Sequence, residues 1–176
     1  MLLRRIKSIG CWNPQTYKDK INREDYSTPG DTLSDLKTDN NGLSVWFTPD
    51  LDETNIKPLL AAMAVGRDSI QKMTYVVLDE NRLLSMGIEK KPVLGLAPGI
   101  SDEAILKSHY DLTDIDYKRI GPLANYIEEL IEGNHAKTVN EKDLEKYINE
   151  LIDNDKICTE DLKDGIKNRI NRSKSA

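Results

Sequence analysis

Cysteine, large aromatics and long apolar runs are all scarce in this chain, and each shortage excludes something. There are two cysteines, Cys11 and Cys158, near opposite ends of 176 residues. Secreted scaffolds usually carry more, so a reducing compartment is expected, with one end-to-end bridge as the alternative. No CxxC pair occurs, and neither His109 nor His135 has a cysteine neighbour. No structural zinc is therefore expected, nor any other metal or cofactor.

The longest apolar stretch, Leu59 to Val65, is too short to cross a bilayer. The opening Met-Leu-Leu-Arg-Arg-Ile-Lys is basic but runs into Ser8, Gly10, Cys11 and Asn13, which does not fit a signal peptide. These features predict a soluble, cytoplasmic protein with no membrane partner. One Phe and two Trp accompany 31% charged and 38% hydrophobic residues. That polar balance predicts that part of the chain sits outside the core.

What is abundant is charge, and it is unevenly placed. Residues 1–23 carry +5 and residues 163–176 carry +4, which leaves −14 on residues 24–162 within a total of −5. Charged ends that keep a solvated face are the simple explanation. The functional alternative is two basic ends that touch nucleic acid or fold onto an acidic body.

Periodicity divides the chain into an N-terminal arm and irregular segment (1–42), a mixed α/β core (43–137) and a C-terminal helical extension (138–176). In the first part, Leu2, Leu3, Ile6, Ile9 and Trp12 suit a short strand or helix, followed by polar sequence with Pro14, Pro29 and a turn at Thr38–Gly42. Strands are expected at Leu43–Thr48, Thr74–Leu78 and Val93–Leu96. Helices are expected at Asp52–Gly66 with Pro58 in the first turn, after Asp79, after a Ser101 cap toward His109, and at Pro122–Glu132. The expected class is α/β or α+β, with a small three- to four-stranded mixed sheet, packed helices and a C-terminal helical hairpin.

That hairpin is the clearest pattern. Asn140 caps a helix with Leu144, Ile148, Leu151 and Ile152 on one face, and Thr159 caps a second with Leu162, Ile166 and Ile170 four residues apart. Each apolar stripe must be buried against the other helix, the core or a second chain.

Motifs with chemistry are few. The Pro98-Gly99-Ile100-Ser101 turn opens a helix but lacks GxxxxGK[ST], and Asp102 and Glu103 would repel a phosphate there. Asp111, Asp114 and Asp116 lack the twelfth-position Glu of a calcium loop. The densest reactive cluster is Ser108-His109-Tyr110-Asp111: His109 as a general base, Asp111 orienting it, and Tyr110 supplying a hydroxyl. The simple alternative is a helix-end histidine, since adjacent residues point in different directions.

Trp46 lies among apolar neighbours and reads as core, whereas Trp12 in a polar segment is the better partner anchor, together with Leu162, Ile166 and Ile170. Lys163, Lys167, Arg169 and Arg172 on the last helix are the nucleic-acid candidates. The acidic helix before them argues against a DNA-reading pair, as does Gly165, costly within a helix. The reading favoured is a small intracellular protein-binding or regulatory module, of which an immunity- or antitoxin-like protein is one form. Its partner would be another protein or a second copy. The alternatives are a small hydrolase or transferase using His109 with Asp111, and nucleic-acid binding through the basic termini.

Overall fold

Six extended segments, β1 (Leu2–Ile6), β2 (Leu43–Phe47), β3 (Met73–Leu78), β4 (Glu89–Pro92), β5 (His109–Thr113) and β6 (Lys137–Val139), form one open antiparallel sheet in the computed structural model. The strand order is β4-β5-β2-β1-β3-β6. The structure describes residues 1–7, 9–12, 30–36, 42–93 and 97–174. Within the sheet, β1 runs antiparallel to β3, from Leu2 opposite Leu78 to Ile6 opposite Thr74.

The mixed class expected from the sequence holds, as α+β, but the expected three- to four-stranded mixed sheet is, among the described residues, a six-stranded antiparallel one. Two of the additional strands have a common cause. β4 reads Glu-Lys-Lys-Pro and β6 reads Lys-Thr-Val, and they are the two edges of the sheet, where charge and proline are tolerated because one side has no neighbouring strand among the described residues. In β5, His-Tyr-Asp-Leu-Thr, Leu112 alone is buried, so alternation does not announce it. The expected strand at Val93–Leu96 and the turn before Gly42 fall largely outside the described residues.

The helical segments are α1 (Ile9–Trp12), α2 (Gly30–Leu33), α3 (Glu53–Val65), α4 (Glu80–Ser85), α5 (Glu103–Leu106), α6 (Tyr117–Glu132), α7 (Glu141–Asp153) and α8 (Asp164–Lys174), with a 3₁₀ turn at Thr159–Asp161. Several start where their caps require. Asp79 accepts from the Arg82 N–H at 2.9 Å, and Asn140 accepts from the Asp143 N–H at 2.9 Å. Asp102, not Ser101, caps α5, because its Oδ1 accepts from Ala104 and Ile105 while the Ser101 hydroxyl donates to the Asp155 carbonyl. Asp116 caps α6 a full turn and more before Pro122. Thr159 opens the 3₁₀ turn, and α8 begins only at Asp164. Pro58 lies in the second turn of α3, where its missing N–H forgoes one helical bond.

The chain divides into two compact units. The first comprises Met1–Val45, Thr74–Lys91 and Asp111–Lys137. Its core is built from Leu2, Leu3, Trp12, Leu36, Val76, Leu78, Leu83, Leu112, Leu123 and Ile127, all at most 1% exposed. The second comprises Trp46–Met73, Pro92–Tyr110 and Thr138–Ala176. There α3 packs on α7, and Ala61, Val65, Leu144, Ile148 and Ile166 are fully enclosed. Gly99 takes φ +78°, a conformation that disfavours side chains, and Leu162 and the Cys158 carbonyl fill the space a β-carbon would need.

Candidate functional site

The residues singled out for chemistry do not all share one face of their strand. Along β5 successive side chains alternate, so Tyr110 points to the face opposite His109 and Asp111. The His109 ring stacks on Trp46, with centroids 4.6 Å apart and planes 20° from parallel. Tyr110 meets Phe47 edge-on at 6.3 Å. Both are cross-strand aromatic pairs, the contacts that stabilise a sheet. His109 stands at the start of a strand and not at the end of a helix, because the short helix before it stops at Leu106. Among the described residues no group of three or more His, Cys, Asp or Glu is arranged to hold a metal ion.

The side chains expected to meet a partner are packed inside the chain. Trp12 is 0% exposed, and its indole N–H donates to Asp35 Oδ2 at 2.9 Å. Leu162, Ile166 and Ile170 are likewise buried. The amphipathic pattern is real, but the surface covering it belongs to the same chain.

Three of the four basic residues expected to contact nucleic acid are engaged locally. Lys163 Nζ pairs with Asp68 at 2.7 Å, and Lys167 Nζ donates to the Glu160 carbonyl at 2.6 Å. Arg169 pairs with Glu145 and lies 3.6 Å from Glu141. The acids of α7 thus serve as counter-charges for α8. Arg172 is exposed.

Two polar sites lie outside the sequence reading. In the first unit, Arg4 donates to the Ser44 carbonyl at 3.0 Å and to the Asp35 carbonyl at 2.9 Å, and its Nε is shielded from solvent. The Asp35 carboxylate accepts from Trp12 and from the Lys7 N–H at 2.7 Å. Burial pushes the Arg4 guanidinium down to about 10, Asp35 and Asp111 oppose that shift, and Arg5 adds to it. Arg4 therefore stays charged at neutral pH. This polar network pins the strand β1 to the segment ending in Leu36.

In the second unit, α3 and α7 enclose an open groove of about 310 Å³ lined by Glu53, Thr54, Lys57, Pro58, Tyr147, Glu150 and Leu151. Lys57 Nζ lies 2.5 Å from Glu53 and 5.5 Å from the Tyr147 ring centroid. The Glu53 hydrogen bond raises the Lys57 ammonium above its ordinary value, against a smaller opposing effect of burial. The same bond holds the Glu53 carboxyl below its usual range. Burial, then the Asp143 charge, pushes the Tyr147 hydroxyl up. The i,i+4 spacing of Glu53 and Lys57 was a sequence signal for the pair. Nothing in the sequence placed Tyr147, which lies beside the apolar stripe of α7, next to them.

No family model, curated protein or solved structure matches this chain.

Proposed function

We propose that this chain is a protein-binding module that receives its partner on the groove between α3 and α7. One observation carries the reading: an open groove of about 310 Å³ in which Tyr147, Pro58 and Leu151 lie among Glu53, Lys57 and Glu150. Protein interfaces are built around an aromatic anchor with apolar neighbours and a polar rim, and this groove has that composition. Its volume suits one or two inserted side chains and not a large organic substrate. The regional charge supports the same reading, since −14 on residues 24–162 favours encounter with a positively charged surface.

A photo-crosslinking amino acid placed at Thr54, and in a separate variant at Lys107, tests this in the cells that make the protein. Lys107 belongs to the same unit and its side chain is 76% exposed, so it controls for random encounters. Illumination is expected to give a discrete protein adduct, identified by mass spectrometry, from position 54 and not from 107. Absence of any adduct at 54, or the same adducts from both positions, would overturn the proposal.

A further inference from the structure

We infer that the α3–α7 groove is a seat for a cationic side chain, filled by Lys57 in the free chain and by a lysine or arginine of the partner protein in the complex. The inference rests on the protein-binding reading of this face and names the chemistry recognised there.

The seat already holds an ammonium. Lys57 Nζ lies 2.5 Å from the Glu53 carboxylate and over the Tyr147 ring at 5.5 Å. Glu150 lines the same groove and adds to the attraction. A carboxylate beside the face of an aromatic ring is the arrangement by which proteins hold ammonium and guanidinium groups. Pro58 contributes in a different way. It has no N–H to give the Thr54 carbonyl one turn earlier, and both residues line the groove, so the wall there lacks one internal donor.

The occupant is argued from charge. In the lining Glu53 and Glu150 stand against Lys57. Beside it Lys146 lies 3.9 Å from Glu150, while the Asp143 charge acts on Tyr147. Acids still outnumber bases, so a cation is attracted where an anionic side chain would be repelled. When Lys57 swings out, its four-carbon stem can do so without moving the backbone, and the two carboxylates and the ring are left for the incoming group. The Glu53 side chain is 81% exposed, so that carboxylate is within reach of a partner. A second copy of this chain is the other macromolecule that could supply a cation, and the mass of the adduct formed at position 54 separates the two.

The test is a titration of the isotope-labelled full chain with an acetylated hexapeptide of alternating lysine and alanine, followed by amide shifts in NMR spectra. The same peptide with glutamate in place of lysine is the control. Saturable shifts confined to residues 53–58 and 147–151 are expected with the lysine peptide only. Lys57→Met should vacate the seat and tighten binding roughly fivefold, whereas Lys107→Met, the same charge change elsewhere in the unit, should alter it by less than about twofold. The Glu53→Gln/Glu150→Gln double variant should weaken binding by roughly fivefold or more. Shifts spread over the acidic surface, with Lys57→Met and Lys107→Met acting alike, would reduce the effect to general charge attraction and overturn the inference. An adduct at twice the chain mass would overturn it as well. If the Thr54 adduct forms and survives the double Gln variant undiminished, the cation seat falls while the protein-binding face stands. If no Thr54 adduct forms in the parent chain, the face itself falls.

Discussion

Gly165 in α8 packs directly against the backbone carbonyl of Asp68, so that a β-carbon at 165 would overlap its oxygen. Lys163, two residues earlier, pairs with the Asp68 carboxylate. A glycine that costs helix propensity is thus needed for a close approach of two backbones. Gly165→Ala should recover roughly 1 kcal/mol of helix propensity and still destabilise the protein by about 2 kcal/mol net, because backbone and not a flexible side chain must move. Urea unfolding checks this, and a stabilised Ala variant would contradict the packing.

Trp12 and Lys7 both donate to the Asp35 carboxylate, which also opposes the loss of the Arg4 charge. Asp35→Ala leaves the Trp12 and Lys7 N–H donors without that acceptor and the Arg4 guanidinium without the opposing charge, and a loss of about 3 kcal/mol is expected. Asp35→Asn, which keeps one oxygen acceptor, should lose less. Equilibrium unfolding followed by tryptophan fluorescence measures both.

Asp102 gives a pH-dependent prediction. Burial works against its charge, but the Lys156 pair at 3.0 Å and the amides of Ile105 and Ala104 outweigh burial and hold the carboxyl below the usual aspartate range. A group whose folded pKa is depressed contributes stability that is complete above the unfolded value, about 3.9, and is lost as pH falls through the folded one. Asp102→Asn should therefore cost about 1 kcal/mol near neutral pH, with the difference from the parent shrinking as pH falls through the folded, depressed pKa. Melting curves at several pH values check it, and a constant difference at all of them would contradict the ionic assignment.

The stack of His109 on Trp46 predicts how position 109 responds to substitution. His109→Phe preserves a planar ring and should lose less than His109→Ala, which should lose about 1 kcal/mol more from the aromatic contact alone. Thermal unfolding measures the pair.

The helices were legible because capping is local. Asp79, Asn140 and the apolar stripes of α6 and α7 act within a few residues of themselves, and the structure has them. The strands β4, β5 and β6 were not, because their exposed faces and edge positions leave no alternation to read. The candidate site was harder still. His109, Tyr110 and Asp111 are adjacent in sequence, and strand alternation turns Tyr110 to the face opposite the other two. Glu53 and Tyr147 are far apart in sequence, and the packing of α3 on α7 places them in one groove.

The sequence by itself determined the mixed α and β composition, the amphipathic helices near the C-terminus and the acidic middle between basic ends, because propensity, capping and charge are properties of short segments. Only the tertiary structure decided what covers those apolar stripes and what neutralises those basic residues. Burial and ion pairing are long-range. Leu162, Ile166 and Ile170 found cover, and Lys163 and Arg169 found carboxylates, within the same chain. Tyr147 and Lys57 were left at an open groove, as the two helices that carry them meet only in the fold.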